Sequence, residues 1–386
     1  MTEAIVVSRR GAARFAAGHP WVYRSDVHDA DRPAGIVRVV DERGRHLGRA
    51  LWSPRSEIRL RRLTAGDEPV DRAWWARRIE RAWRLRESLD IDATACRIVH
   101  AEGDGLPSLV IDRYGDFVVA QFLSAGVEAV RADVVGAMAD VLGPAGILLR
   151  NDASVRRHEG LPLSVEVVHG TVPEEIEVRE GRVRHLVRPY EAQKTGAFLD
   201  QRENHLLMGR LARGRALDVF TYQGLFALHM ARRADTVQAV DSSAAALDAA
   251  RANADLNACR TIAWVEANAF DHLRALEGAG DRFDTIVLDP PAFAKSRQSV
   301  VRALAGYKEI NLRALRLLSG GGLLLTCSCS YHVSRERFTA MLADAAADSG
   351  RHLGIVRHVG QAPDHPELLT VPETGYLKGV LLRSLE

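Results

Sequence analysis

Two cysteines separated by a single serine could supply a sulfur nucleophile. Cys327 and Cys329 close an apolar run that begins near residue 321, and strand alternation would point both thiols to one face. Cysteine more often packs as a small buried hydrophobe, and position alone favours that role for both. Cys329 lies nearer the end of the run, and reactive groups follow the neighbouring runs. We therefore predict that Cys329 is a nucleophile.

The motif Asp-Pro-Pro-Ala-Phe at residues 289–293 is the most specific signal in the sequence. It follows the apolar run Thr-Ile-Val-Leu, and its two prolines fix the backbone and remove two hydrogen-bond donors. A rigid loop with the carboxylate of Asp289 at its start and the ring of Phe293 at its tip suits the binding of a planar base. The alternative is a stiff connection that binds nothing.

Three more polar residues follow apolar runs. Asp218 could meet the ammonium of an amino acid, and Gly224, six residues on, could let backbone approach a ligand, although a plain turn is the alternative. Asp241 could accept both hydroxyls of a ribose, or it could cap a helix, a role that the two following serines can also fill. The amide of Asn268 suits an adenine edge and a helix cap equally.

These side chains require a scaffold that gathers strand ends. From about residue 205 the sequence alternates apolar strands with helices, and five such units predict a parallel, doubly wound sheet. The last two strands lack a helix between them and should pair antiparallel at the edge. In such sheets ligands bind beyond the carboxyl ends of the strands. The G-x-G-x-x-G fingerprint of a nicotinamide site is missing.

The first 190 residues carry a different pattern. Short strands split by turns predict a small β-barrel over residues 1–70, and residues 73–90 predict an amphipathic helix with a basic outer face. Residues 97–190 mix hairpin strands with one helix, and Arg150, Asn151 and Asp152 are expected to form a polar loop. We find no chemistry in this α+β region.

Charge is unevenly distributed along the chain. Residues 1–63 hold 13 arginines and 7 acids, a net charge of +6, whereas the whole chain carries only +2. A basic N-terminus suggests contact with phosphate, although a solvated arginine-rich surface would look the same. Only four of the 52 basic residues are lysines, namely Lys194, Lys295, Lys308 and Lys378. We expect lysine to persist where a planar guanidinium fits badly, with Lys194 and Lys295 the candidates nearest the site.

No signal peptide or membrane-length apolar run is evident, and the four cysteines lack the spacing of a zinc site. We expect a cytoplasmic protein without a metal or a membrane partner.

The motifs together resemble the RlmI family of bacterial 23S rRNA large-subunit methyltransferases. The resemblance rests on Gln193–Asn204, VLDPPAF, CSCS and the tail GYLKG, and it covers nearly the whole chain. It implies a PUA-like RNA-binding domain (1–70, matched by Gly18–Arg24), an α+β middle domain (71–190) and a Rossmann-like class I methyltransferase domain with a mixed seven-stranded sheet (191–386).

The resemblance also implies a cofactor, a substrate and a site. The cofactor is S-adenosylmethionine (SAM), the substrate is 23S rRNA, and the reaction methylates C5 of a cytosine through a cysteine adduct. The family's catalytic roles fall on Cys329 and Asp289, and we add Lys295 as the cation that favours the thiolate. The implied SAM pocket comprises Thr195, Phe198, Asp200, Gln201, Arg202, Asp218, Phe220, Gly224, Asp241, Asn268 and Asp289. Relatives commonly carry Asp where this chain has Asn268.

Two other functions remain open at this stage. A related enzyme could methylate an exocyclic amine or a guanine, for which no nucleophilic cysteine is needed. A non-catalytic RNA-binding assembly protein could retain the same fold. The sequence does not settle the target nucleotide, the choice between naked rRNA and an assembled subunit, the group that accepts the proton from C5, or whether the protein forms a homodimer.

Overall fold

The computed structural model describes residues 4–28, 31–191, 195–294 and 297–386. The chain divides into two compact units. The first spans Met1–Val178, Val187–Leu199 and Pro363–Thr374, and the second spans Arg179–Leu186, Asp200–Ala362 and Gly375–Glu386. The predicted division into three domains remains a prediction.

A curled, half-barrel sheet of five strands opens the first unit. Its strands, in the order β1-β3-β4-β5-β2, are β1 (Ile5–Val7), β2 (Trp21–Tyr23), β3 (Gly35–Asp41), β4 (His46–Trp52) and β5 (Ile58–Thr64). The predicted strands are confirmed, but the sequence reading missed β2 and helix α1 (Arg9–Ala16). Eight residues give too few turns for a clear helical period. Ser8 caps α1 by accepting from the amide of Gly11.

Helix α2 (Arg72–Ser88) confirms the predicted amphipathic helix. Asp71 caps it by accepting from the amide of Trp74 at 2.8 Å. Trp75 and Ile79 are fully buried, as the periodicity indicates. Arg86 departs from the expected basic outer face, because it is buried and forms a bidentate ion pair with Asp104.

A second five-stranded sheet follows α2 in the order β10-β9-β8-β7-β6. Its strands are β6 (Ala95–His100), β7 (Leu109–Tyr114), β8 (Phe117–Phe122), β9 (Gly146–Asn151) and β10 (Ser164–Gly170), with helices α3 (Ala125–Glu128), α4 (Arg131–Leu142) and α5 (Val155–His158) between the later strands. The expected polar loop at 150–152 is wrong in part. Arg150 and Asn151 end β9 and are buried, and Asn151 accepts from the amide of Phe122.

A two-stranded hairpin precedes the second unit's main sheet. Its strands are β11 (Ile176–Glu180) and β12 (Val183–Val187).

The main sheet has seven strands in the order β15-β14-β13-β16-β17-β19-β18. The strands are β13 (Arg215–Val219), β14 (Thr236–Asp241), β15 (Ile262–Glu266), β16 (Phe283–Leu288), β17 (Leu318–Ser328), β18 (Leu353–Gly360) and β19 (Lys378–Ser384). The helices are α6 (Arg202–Leu211), α7 (Leu225–Met230), α8 (Ala244–Leu256), α9 (Ala269–Ala279), α10 (Val300–Leu317) and α11 (Arg335–Ser349).

This sheet confirms the predicted topology. Strands β13–β17 are parallel, and β19 pairs antiparallel with both β17 and β18. The strand order reverses between β13 and β16, and such a switch point opens a crevice at the carboxyl ends of the strands. None of the described helices combines the length and apolar character that a bilayer crossing needs.

Candidate active site

Cys329 and Asp289 meet at the ends of adjacent strands. Cys329 follows β17, Asp289 follows β16, and the two strands pair through Leu288 and Thr326. The sulfur of Cys329 lies 3.9 Å from the carbonyl oxygen of Pro290, the residue next to Asp289. Both residues keep part of their surface accessible, so a substrate can reach them.

Cys327 behaves differently from its neighbour. It is fully buried, and a side chain on Gly379 would meet its sulfur at 2.9 Å. Burial and the charge of Asp289 hold the pKa of this thiol well above its ordinary value. Cys327 is therefore a small core hydrophobe, and the two cysteines have separate roles.

The carboxyl of Asp289 holds a proton more readily than an ordinary aspartate. Burial, and then the negative charge of Asp200, raises its pKa to about 7, although His205 opposes the shift and Gln201 donates a hydrogen bond to it. Gln201 also accepts from the amide of Asn204 at 2.6 Å. The raised pKa means that Asp289 can donate or accept a proton near neutral pH.

Asp218 ends β13 in a fully buried position. Its Oδ2 accepts from the hydroxyl of Thr221 at 2.5 Å and from the amide of Ala227 at 3.0 Å. Its Oδ1 has no hydrogen-bond partner among the described residues. Burial raises the pKa of this carboxyl to about 6.

Asp241 lies at the end of β14 and stabilises both the turn after β13 and the turn that follows β14. Its carboxylate accepts from the amides of Tyr222 and Ser243, both at 2.9 Å. Ser243, not Asp241, caps α8 by accepting from the amide of Ala246. The helix-cap alternative for Asp241 is therefore wrong, and ribose binding stays a prediction.

Asn268 is the N-cap of α9. Its Oδ1 accepts from the amides of Phe270 at 2.9 Å and Asp271 at 3.4 Å. The cap interpretation is confirmed. An adenine that contacted this oxygen would therefore compete with the two helix amides for it.

Gly224 is explained by packing. Its φ is +81°, and an added Cβ would lie 2.8 Å from the ring of Trp264 and 3.1 Å from Ala250. Its amide donates to the carbonyl of Thr221 at 2.8 Å. A close approach to the cofactor stays a prediction.

Phe220 and Phe293 belong to one aromatic cluster. Phe220 takes a positive φ of 69°, and its ring centroid lies 6.4 Å from that of Phe293. Phe293 also contacts Tyr307 at 4.6 Å and Phe270 at 6.0 Å. These contacts hold the Asp-Pro-Pro loop against α10.

The residues before β13 fall into both units. Asp200, Gln201 and Arg202 are buried in the second unit. Tyr376 donates its hydroxyl to Asp200, and the amide of Ala362 donates to the Asp200 carbonyl at 2.9 Å.

Thr195 and Phe198 lie in the first unit. The hydroxyl of Thr195 donates to Asp112 and lies 3.2 Å from the hydroxyl of Tyr114, and Phe198 is half-buried. These contacts give Thr195 a structural role, and cofactor binding by both residues stays a prediction.

Lys295 and Lys194 lie outside the described residues. The catalytic role of Lys295 stays a prediction. Sequence reasoning did not select Lys378, whose ammonium donates to the carbonyls of Ser330 and Val333, both at 2.6 Å. Only the antiparallel pairing of β19 with β17 reveals that this lysine reaches the end of β17.

The acidic strand ends suit SAM, which carries an ammonium and a sulfonium. The charges of Asp200 and Asp218 both act on Asp289, and gathering acids away from water is costly without a cation. The buried Oδ1 of Asp218 has no hydrogen-bond partner among the described residues, and an ammonium that reached it would satisfy it. No described group of His, Cys, Asp and Glu is arranged to hold a metal ion.

Two family models match the chain. A PUA-like domain model matches residues 5–65, and an S-adenosylmethionine-dependent methyltransferase model matches residues 144–383. The ribosomal RNA large subunit methyltransferase I of Shewanella amazonensis is 40% identical over 376 residues, 95% of each chain. The protein of the same name from Erwinia tasmaniensis is 37% identical over 394 residues, covering 99% of this chain and 100% of that one.

Solved structures share the fold. A putative SAM-dependent methyltransferase from Streptococcus mutans has a TM-score of 0.84 at 19% identity, and a putative methyltransferase complexed with SAH has a TM-score of 0.84 at 18% identity. Each match covers 98% of this chain and 99% of the other.

Proposed function

Because the chain belongs to the ribosomal RNA large subunit methyltransferase I family, we propose that it methylates C5 of a cytosine in large-subunit rRNA through a covalent adduct with Cys329. It is a SAM-dependent RNA methyltransferase, so the proposal concerns the atom that is methylated and the route. Its substrate would place the enzyme in the cytoplasm.

The position of Cys329 beside the Asp-Pro-Pro loop carries the proposal. C5 of cytosine is a weak nucleophile, and addition of a thiolate to C6 converts the ring into an enamine that is nucleophilic at C5. The sulfur of Cys329 approaches the first residue after Asp289. A base held by that loop would therefore have the sulfur close to its ring.

Asp289 would bind the polar edge of the cytosine. With a pKa near 7, its carboxyl can donate a proton toward N3 as the sulfur adds to C6, and its other oxygen can accept from the exocyclic amine. After C5 has accepted the methyl group, its proton passes to solvent. The C6–S bond then breaks, the C5–C6 double bond re-forms, N3 returns its proton to Asp289, and Cys329 leaves as the thiolate.

The acids at the strand ends would hold the methyl donor. SAM supplies an electrophilic methyl on a sulfonium. Asp218 would bind its ammonium through Oδ1 and Asp241 its ribose, while Asp200 offsets its positive charge. Asp241 has both oxygens engaged by backbone amides, and these contacts orient the carboxylate.

The PUA-like domain would supply RNA affinity. A groove beside α1 and the β3–β4 turn is lined by Arg9, Arg43 and Arg45 together with Asp41 and Glu42. Arginines on a groove edge suit phosphate contacts that do not depend on sequence.

The proposal is tested by replacing single cysteines. Cys329→Ala should abolish methyl transfer to rRNA, whereas the matched variant Cys259→Ala, on a partly exposed cysteine away from the site, should retain it. Nucleoside mass spectrometry of the product should identify 5-methylcytidine. Retained activity in Cys329→Ala, or a methylated guanosine or exocyclic amine, would favour the rival enzymes.

A further inference from the structure

Lys378 is a buried cation beside the proposed nucleophile. It is the first residue of β19, pairs in register with Ser328 of β17, and is only 5% exposed. Its ammonium donates at 2.6 Å to the carbonyls of Ser330 and Val333. These carbonyls belong to residues 329–333, the segment that follows β17. Lys378 therefore fixes the position of the backbone that carries Cys329.

The same segment is fixed from its other side. The hydroxyl of Ser330 lies 2.8 Å from that of Tyr307 and accepts from the amide of Ala294 at 3.1 Å. Hydrogen bonds to β19 on one side and to the Asp-Pro-Pro loop on the other therefore hold the segment that carries Cys329.

Lys378 lacks an ordinary counter-ion. Within the described part of the chain, no carboxylate forms an ion pair with its ammonium, and both of its hydrogen bonds go to carbonyls. A buried charge without an opposite charge is costly. Burial accordingly lowers the pKa of Lys378 to about 8, while the charge of Cys329 opposes this shift and that of Arg335 adds to it.

Lys378 contacts both chain neighbours of Cys329, because it pairs with Ser328 in the sheet and donates to the carbonyl of Ser330. At this position it feels the charge of a Cys329 thiolate. On the premise that Cys329 is the nucleophile of the proposed function, we propose that Lys378 is the counter-ion of the Cys329 thiolate and positions the segment that carries it. The thiol proton passes to solvent when the pair forms.

Among the described residues, the other titratable groups near Cys329 do not supply a buried cation. Asp289 is an acid and cannot neutralise a thiolate. Burial and the charge of Cys329 raise the pKa of Tyr307, and burial raises that of Cys327, so both stay neutral. Arg335 is positive but exposed, and solvent screens its charge. An ammonium suits two carbonyls that converge on a single nitrogen, whereas a guanidinium spreads its donors over a plane.

The experiment measures the ionisation of Cys329 directly. The full-length enzyme is alkylated with iodoacetamide across a pH series, and mass spectrometry follows the peptide that contains Cys329. In the wild-type protein the pH at which the alkylation rate of Cys329 reaches half its maximum, the midpoint, should lie below the pKa of about 8.5 for a free thiol. Lys378→Met should raise the midpoint by about one pH unit and slow alkylation at pH 7 by roughly tenfold, with the acidic limb of the kcat profile moving in parallel.

Two variants serve as controls. Lys378→Arg keeps the charge and should keep most of the lowered midpoint. Lys308→Met removes a partly exposed lysine that pairs with Asp348 and should change nothing. Circular dichroism and calorimetric SAM binding establish that each variant is folded.

A wild-type midpoint at or above about 8.5, or an unchanged midpoint in folded Lys378→Met, would overturn the inference. The first of these results would overturn it even if Lys378→Met does not fold. Methyl transfer by Cys329→Ser would instead overturn the proposed function. The two failures are distinguishable, because the ionisation of Cys329 is measured in proteins that keep this cysteine.

Discussion

The sulfur of Cys329 lies 3.9 Å from the carbonyl oxygen of Pro290, although 39 residues separate them in the chain. The parallel pairing of β16 with β17 creates this contact, because it brings the carboxyl ends of the two strands together. The proposed nucleophile and a carboxyl of raised pKa therefore share one accessible edge of the sheet. This edge is where a doubly wound sheet binds ligands.

Replacement of Asp289 by asparagine should raise stability while it removes activity. The pKa of Asp289 is raised to about 7, so the folded state binds the proton more tightly than the unfolded state between about pH 4 and 7. The stabilisation of the folded state by the bound proton is fully present below this pH range and is lost as the pH rises through it. Urea unfolding without SAM should show Asp289→Asn more stable by about 1–3 kcal/mol at pH 8, with little gain at pH 4.5.

The exposed Asp235→Asn serves as the control for that experiment. A gain that does not depend on pH would contradict the assignment of the raised pKa to Asp289. Full methyl transfer by Asp289→Asn would contradict the proposed role of Asp289 in binding the cytosine.

Asp218→Asn should weaken SAM binding by roughly ten- to a hundredfold, the range of a lost hydrogen bond to a charged group. Because the pKa of Asp218 is about 6, wild-type affinity should also fall as the pH drops below 6, and the variant should lose much of this dependence. Calorimetric titration measures both effects. Asp248→Asn, on an exposed acid of α8, is the matched control, and equal affinities in the two variants would exclude Asp218 from the site.

Glu180→Gln should destabilise the second unit. Glu180 lies 2.8 Å from His205 and 3.1 Å from His229, and all three side chains are buried. Burial opposes its ionisation, but the two histidines hold the pKa of Glu180 below its ordinary value. The pKa of His205 is raised, because Glu180 outweighs the effect of burial.

The ion pair of Glu180 with His205 therefore stabilises the fold at pH values above the ordinary pKa of a glutamate. It loses this effect as the pH rises through the raised pKa of His205. Breaking it should cost about 3 kcal/mol at pH 6 and less at pH 9, as measured by urea unfolding. The exposed Glu174→Gln is the control. An equal loss at both pH values would argue against a charged His205.

Arg9→Ala and Arg43→Ala should weaken RNA binding, because each removes a charge from the groove of the PUA-like domain. The slope of log affinity against log salt should fall by about one for each arginine that contacts a phosphate. Filter binding to rRNA fragments at several salt concentrations gives this slope. Arg251→Ala, on α8, is the control, and unchanged slopes for the groove variants would place the RNA elsewhere.

The sequence predicted the catalytic scaffold well because long buried strands leave continuous apolar runs. It anticipated the acids that end those strands and the antiparallel final pair. It missed α1 and the position of β9, whose polar end at Arg150 and Asn151 is held by Pro189 and Phe122, partners far away in the chain. Local pattern could not decide between a cap and a ligand contact at Asn268, because the same amide suits both. It could not point to Lys378 either, because the position of this lysine at the end of β17 depends on the pairing of β19.

The most direct test of the central claim uses RNA in which 5-fluorocytosine replaces cytosine. Fluorine at C5 cannot leave as a proton does, so an enzyme that attacks C6 should remain bonded to the RNA after methyl transfer. We expect a SAM-dependent complex that survives denaturing electrophoresis, with the RNA attached to the peptide that contains Cys329, and no complex with Cys329→Ala. Methylation of this RNA without a covalent complex would contradict attack by Cys329.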